Sequence, residues 1–326
     1  MTIMTNPRIT FLDPVRDQLQ EMEALLLAQL DGNCSPFEAA LASLIAAGGK
    51  RIRPRIALLV GGALGADQGP LLNLAAAIEM LHTATLIHDD LVDGSMLRRG
   101  IETLNARWSA AASVLVGDLA FTRAANLILG TRSLPVIEMF TRTMSIMVDS
   151  EVAQLGRERG ISSRDEYFRW IGAKTAALIE LAAGAPALLS SAGEETFAAA
   201  RRFGYGIGMA FQIADDVLDF TGDPSWLGKP VGSDLRQGAI TLPALIYLEE
   251  HPRDPDLGAV LHREDPDGLI LKKLVERICR SVAVDRSLET ADGFIRETLE
   301  DLACLPVSPE RFALAEIALE IATRDQ

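Results

Sequence analysis

Two segments carry the same pattern of carboxylates, DDLVD at 89–93 and DDVLD at 215–219. At an aspartate frequency of about 6%, one such match arises by chance in a chain of this length with a probability of roughly 0.07, and two with about 0.002. Each follows an apolar run of helical character, LHTATLIH before the first and FQIA before the second. Three carboxylates this close repel one another unless a cation sits among them, and the two clusters read as halves of one site. A fold that joins them must bring two apolar helices face to face. That requirement favours one large helical domain over residues 1–326, although the length alone would allow two.

Helix punctuation supports the same architecture. Asp13 as N-cap and Pro14 in the first turn open a helix that Gly32 closes, and the scheme repeats from Ser35 to Gly48. Further helices are predicted near 53–63, 70–93, 108–129, 134–157, 164–183 and 193–219, with shorter ones from about 241. No strand alternation or hairpin signal interrupts them, so the expected class is an all-α bundle. The motif-bearing core spans about 48–245. The polar, Pro-rich stretch 249–268 reads as a loop before a C-terminal helical cap over about 268–326.

On an ideal helix Asp89 and Asp93 lie within about 40° of each other, and His82 projects between them. Phe211, Gln212, Asp215 and Asp219 share a second face within about 100°, which Gly204 and Gly208 continue. An all-oxygen donor set suits Mg²⁺, which keeps several waters and is commonly completed by phosphate oxygens. Either motif alone could be a solvated helix face, but two within apolar helices make that reading weak. His88 projects about 100° from Asp89 and is expected to pack or hydrogen-bond within the helices rather than bind metal.

The formal charge of -14 argues against a nucleic-acid surface, so an anionic ligand needs local cations or a metal. GGKRIRP supplies Lys50, Arg51 and Arg53 at the start of a helix, where backbone N–H groups also favour anions. MLRRG places Arg98 and Arg99 just past the first acidic motif, an adjacent pair able to reach two phosphate groups. Uncharged apolar stretches such as IALLVGGALGA fall short of the roughly 20 residues of a membrane span, and MTIMTNPRIT has no signal-peptide core, which leads to a cytoplasmic expectation. Cys34, Cys279 and Cys304 show no CxxC spacing and suggest neither a disulfide framework nor a zinc site.

In their order and spacing, GGKRIRP, LHTATLIHDDLVDGSMLRRG, SVLVGD, AKTAALIE, FQIADDVLDF and LGKPVGSDLRQGAITLP resemble the trans-isoprenyl (polyprenyl) diphosphate synthases, from about residue 48 to 245. The resemblance implies an all-α bundle around a deep cavity, normally a homodimer. It also implies a Mg-dependent prenyltransferase that joins an allylic diphosphate to isopentenyl diphosphate and releases pyrophosphate. Asp89, Asp93 and Asp215 would bind three Mg²⁺ ions around the allylic diphosphate, with Asp90, Asp216 and Asp219 supporting the metals directly or through water. Lys50, Arg53, His82 and Arg99 match positions that hold isopentenyl diphosphate, and Arg98 matches an allylic diphosphate ligand. Lys174, Thr175, Gln212 and Lys229 match residues beside the reacting carbons and the leaving group.

These residue types suit the implied chemistry. Breaking the allylic C–O bond creates a carbocation and a highly charged pyrophosphate, so cations must stabilise the leaving group while an apolar cavity excludes water. A Ser/His/Asp set is not needed. In the family the growing chain descends beside the first acidic helix, and bulky aromatics four or five residues before the motif form a floor. Here those positions are Thr85 and Ala84, with Leu81 about one turn deeper, roughly 5 Å. The implied product lies in the hexaprenyl to decaprenyl range, with a peripheral membrane contact for release of the lipid. The alternative of the same chemistry is a short-chain farnesyl or geranylgeranyl diphosphate synthase.

Other functions fit less well. A terpene cyclase would carry an NSE- or DTE-like second motif, and a non-catalytic partner subunit would have lost metal or diphosphate ligands, whereas all six aspartates stand here. HDD at 88–90 suggests a metal-dependent phosphohydrolase only if His88 faces the carboxylates. Two departures from the family pattern are Ala239 in place of a usual Lys, with Arg236 near enough in sequence to compensate, and Glu102 in place of a common Pro.

Overall fold

Helices form where caps and breakers bracket the apolar runs. The computed structural model describes residues 13–30, 36–98, 101–155, 163–222, 231–261, 265 and 267–323. The first helix, α1 (Arg16–Ala28), begins later than Asp13 and Pro14 predict. Those residues form a turn in which the Asp13 carbonyl accepts from the Arg16 N–H at 3.2 Å and its carboxylate from the Val15 N–H at 3.3 Å. Then follow α2 (Pro36–Ala46), α3 (Ile52–Ala63) and α4 (Gln68–Val92), the last opened by Asp67, whose side chain accepts from the Gly69 N–H. After α4 a short antiparallel pair, β1 (Leu97–Arg98) with β2 (Ile101–Glu102), turns the chain back. Two-residue strands are too short to show alternation in sequence.

The middle of the chain gives α5 (Leu104–Arg107), α6 (Ala110–Leu129), α7 (Leu134–Leu155) and α8 (Arg164–Ile171). Ser163 and Glu166 start α8 with a reciprocal capping box. A π-helical turn, Gly172–Ala176, joins α8 to α9 (Ala177–Leu189), and α10 (Glu194–Thr221) follows. The C-terminal part is α11 (Ser233–Gln237), α12 (Leu242–Glu250), α13 (Pro255–Leu261), α14 (Leu269–Arg280), α15 (Ala283–Asp301) and α16 (Pro309–Ala322). Helix α13 lies within the stretch 249–268 that was expected to be a loop. The Asp254 carboxylate accepts from the Asp256 N–H at 2.9 Å, and Pro255 occupies the first turn, a start signal masked by the polarity around it.

The inner layer consists of α3, α4, α6, α9 and α10, with α15 packed along the outside of α10. Its core side chains, among them Leu58, Leu74, Ile78, Leu181 and Ile207, have no accessible surface. By length and composition Gln68–Val92, Ala110–Leu129 and Arg164–Leu189 are long and apolar enough to cross a membrane, although charged residues interrupt each of them. In this structure most of α4 and of Arg164–Leu189 is buried within the bundle.

Two glycines set the distance between the site's helices. A Cβ at Gly204 would lie 2.5 Å from the Ile179 carbonyl oxygen, and one at Gly208 would lie 2.4 Å from the Ala176 Cα. Backbone is the obstacle in both cases, so neither contact relaxes by a rotamer change. Gly208→Val is expected to lower stability by about 1–3 kcal/mol and to separate α10 from the π turn. An unchanged denaturation midpoint would show that the helices are not held this close.

Candidate active site

Helix α4 ends at Val92, and Asp93 is its C-cap, with its N–H donating to the Asp89 carbonyl at 2.8 Å. The Asp93 side chain is therefore exposed at the helix end, while Asp89, one turn earlier, is half-buried. The π turn presents Lys174, and α7 presents Glu151. The Lys174 ammonium stands 3.1 Å from Glu151 Oε1 in an ion pair. Burial pushes the Asp89 carboxyl up to about 6; Lys174 opposes the shift, and Glu151 and Asp93 add to it. Burial alone would lower the Lys174 pKa, but Asp89, Glu151 and Asp93 together hold it above its ordinary value.

The other aspartates have protein partners. Asp90 is buried and gripped by Arg98, whose Nε donates to Oδ1 at 2.8 Å and to Oδ2 at 2.9 Å; the turn into β1 brings that arginine back onto α4. On α10, Asp215 is exposed, whereas Asp216 and Asp219 are buried. Tyr167 donates to Asp216 Oδ2 at 2.6 Å and Gln212 Nε2 donates to Oδ1 at 2.8 Å, while Gln212 Oε1 accepts from the Thr175 hydroxyl at 2.6 Å. Burial pushes the Asp216 carboxyl well up, and the two donated hydrogen bonds push back. Asp219 accepts from Ser233 Oγ at 2.6 Å and from the Asp234 N–H at 3.1 Å, which ties the start of α11 to α10.

A cavity of about 230 Å³ opens beside the acidic face, with Lys50, Arg53, His82, Asp90, Arg98 and Phe211 in its wall. Arg53 Nη1 lies 3.0 Å from His82 Nε2. A guanidinium only donates, so in this contact Nε2 is the accepting atom. Arg99 and Lys229 lie outside the described residues. Arg236, the expected substitute for the lysine missing at Ala239, has its guanidinium against Gly268 and close to Asp265. His88 packs against Gly117 and Phe121, with Nε2 3.3 Å from the Val114 carbonyl and 3.8 Å from Asp118. Ala84 has no accessible surface and Leu81 almost none, whereas Thr85 is half-buried, its hydroxyl donating to the His82 carbonyl at 2.8 Å.

Glu151, Tyr167 and Ser233 were not singled out in the sequence. Each is a lone polar residue, in or beside a helix, with no spacing that marks it. The donor set fits a divalent cation: the hard carboxylate oxygens of Asp93 and Glu151 stand close enough to Asp89 to add to the rise that burial gives its carboxyl. Among the described residues no three acidic or histidine side chains already converge as a closed cage. Mg²⁺ often binds in such a setting, through one or two carboxylates with substrate phosphates and waters completing the shell.

A pH effect follows for the metal-free protein. The Asp89 pKa is raised by folding, so the stability it contributes is fully present below the ordinary carboxylate pKa and is lost as pH rises through about 6. Relative to Asp89→Asn, the wild-type protein should gain on the order of 1 kcal/mol in denaturant unfolding between pH 7.5 and pH 5. Parallel pH curves for the two proteins would remove Asp89 as the titrating group.

Fold and site together define an all-α bundle in which carboxylates near the ends of α4 and α10 offer oxygen donors suited to a metal, with a cavity lined by Lys50, Arg53 and Arg98 alongside α4. Residues 35–278 match the Polyprenyl synthetase family. The chain belongs to this family and is a prenyltransferase. It is 35% identical to the octaprenyl diphosphate synthase of Escherichia coli (strain K12), over 94% of this chain and 95% of that one. The crystal structure of a polyprenyl synthase from Caulobacter crescentus CB15, complexed with calcium and isoprenyl diphosphate, superposes with a TM-score of 0.90 at 35% identity, covering 96% of each chain. A decaprenyl diphosphate synthase from Rhodobacter capsulatus gives a TM-score of 0.88 at 31% identity, covering 96% of this chain and 97% of that one.

Proposed function

We propose that the protein condenses isopentenyl diphosphate with an allylic diphosphate, repeating the addition to give a medium- to long-chain all-trans polyprenyl diphosphate in the hexaprenyl to decaprenyl range. The observation that carries this reading is the juxtaposition of two different anion-handling surfaces. Lys50, Arg53 and His82 line a basic cavity, and Asp90 with Arg98 forms its border with the carboxylates of α4. Similarity to octaprenyl and decaprenyl diphosphate synthases supports the chain length, and the calcium in a similar structure supports a divalent metal.

Asp89, Asp93 and Asp215 would hold the metal, which we take to be Mg²⁺, three ions per site. Bound there it supplies Lewis-acid neutralisation of the charge that develops on the leaving pyrophosphate. Lys174, kept protonated by the carboxylates around it, adds a fixed positive charge at the same place. Arg98 approaches the allylic diphosphate with its orientation set by Asp90. Lys50 and Arg53 hold the diphosphate of isopentenyl diphosphate, with His82 beside them. Thr175 and Gln212, fixed to each other and to Asp216, form a rigid polar edge beside the reacting carbons, while the apolar interior of the bundle excludes water. The final proton goes to the released pyrophosphate, so no side-chain base is required.

A second copy of the chain is the partner we infer. Helices α6 and α7 leave Leu115, Leu129, Leu134 and Val152 about three-fifths exposed, apolar surface of the kind that subunit interfaces cover. Purified protein should release pyrophosphate only when Mg²⁺, an allylic primer and isopentenyl diphosphate are all present. Absence of release with every primer, metal included, would defeat the synthase reading, and a monomeric mass in solution would defeat the dimer.

A further inference from the structure

GGKRIRP places three cations in the wall of one cavity, and the fork of one of them, Arg51, is engaged with protein partners. Arg51 sits at the N-cap of α3 in the left-handed region, with φ 48° and ψ 37°, a conformation that a side chain with a Cβ adopts only when its surroundings enforce it. Three of its donors are committed to three helices. Nη1 donates to Glu79 Oε1 of α4 at 2.5 Å, Nε donates to Glu23 Oε1 of α1 at 3.0 Å, and Nη2 donates to the Ile45 carbonyl near the end of α2. The Arg51 and Glu79 side chains are only 10% and 9% exposed.

Glu79 belongs to the wall of the same cavity as Lys50, Arg53 and His82. An unpaired carboxylate there would repel a diphosphate. Arg51 cancels that charge, and its three anchors fix the strained turn from which Lys50 and Arg53 project.

We propose that Arg51, through its pair with Glu79, is the positioning residue of the isopentenyl diphosphate site: it holds the turn that presents Lys50 and Arg53, and neutralises Glu79, a carboxylate of α4 in the wall of the same cavity. The inference rests on the function proposed above and assigns Arg51 no contact with substrate. Arg53 and Lys50 act on the ligand; Arg51 acts through them. Lysine cannot replace it fully, because a single ammonium lacks the fork that reaches Glu79, Glu23 and the Ile45 carbonyl together.

The test is steady-state kinetics with each substrate varied in turn. Arg51→Gly suits the left-handed backbone and removes the whole side chain, the guanidinium and its three anchors with it. It should raise KM for isopentenyl diphosphate about tenfold or more while KM for the allylic primer stays within about twofold. Adding Glu79→Gln should recover at least about threefold of that loss, since the uncompensated carboxylate is gone. A merely structural pin would shift both substrates together and would not be rescued by removing a second anchor; either result overturns the proposal. Should Arg51→Gly fail to fold, Arg51→Lys carries the same assay, with a rise of about threefold confined to isopentenyl diphosphate expected and an equal or absent shift contradicting it. Wild-type protein that forms no product removes the underlying reading, whereas wild-type turnover with no split in the variants defeats only the role of Arg51.

Discussion

Asp89→Ala and Asp215→Ala should each reduce turnover by roughly 10²–10³-fold or more while leaving the fold intact. Each removes a carboxylate from the face that would hold the metal, and neither removes a buried hydrogen-bond acceptor: Asp215 is exposed, and the Asp89 carboxyl is pushed up to about 6 by burial, with Glu151 and Asp93 adding to the shift. Metal-free Asp89→Ala should therefore unfold no more easily than wild type at neutral pH. Asp216→Ala makes the contrast. It strips the acceptor from the buried Tyr167 hydroxyl and from the Gln212 amide and is expected to cost about 2–3 kcal/mol of stability in addition to activity. Activity and denaturation measured on the same three variants separate the roles. Near-normal rates in Asp89→Ala or Asp215→Ala would place the metals elsewhere, and an unchanged midpoint in Asp216→Ala would contradict its structural role.

Thr85→Phe should shorten the product to farnesyl or geranylgeranyl diphosphate while the first condensation continues. Thr85 retains accessible surface one turn before Asp89, and its hydroxyl is already bonded to its own helix, so an aromatic ring there projects below the chemistry. Ala84→Tyr is also expected to shorten the product, but with a different accompaniment. Ala84 is wholly buried, so the ring must displace packed neighbours, and a loss of about 1–3 kcal/mol is expected alongside. Mass analysis of the products decides both. If neither variant changes the chain length, termination is set from another helix.

Helix positions were largely legible because apolar periodicity and caps act locally. Helices α4 and α10 start and end within about two residues of the predicted bounds, within the usual fraying of assigned ends. The acidic faces were legible for the same reason, since projection on a regular helix needs only spacing. Projection was less informative where the helix stops. Asp93 is a C-cap rather than a face residue, and His82, projected between Asp89 and Asp93, pairs with Arg53 in the basic cavity.

Features set by tertiary contact left no pattern to read. The π turn that presents Lys174 and Thr175 is pressed against Gly208, and Glu151 reaches Lys174 from a different helix. The gripping of Asp90 by Arg98 depends on a two-residue strand pair, and the division of labour within GGKRIRP depends on a left-handed backbone at Arg51. Gly204 and Gly208 were visible as a continuation of the Asp215 face. That they mark a close backbone approach became evident only from the packing of α10 on α9 and the π turn.

The central claim is that this site adds isopentenyl units repeatedly to an allylic diphosphate. The most direct measurement is mass spectrometry of the products formed by the purified protein from isotopically labelled isopentenyl diphosphate, Mg²⁺ and each allylic primer in turn. The account predicts serial incorporation of label into linear all-trans polyprenyl diphosphates that accumulate in the hexaprenyl to decaprenyl range. A product that stops at farnesyl diphosphate would contradict the chain length, and an unlabelled cyclic hydrocarbon or simple loss of phosphate from the primer would contradict the account as a whole.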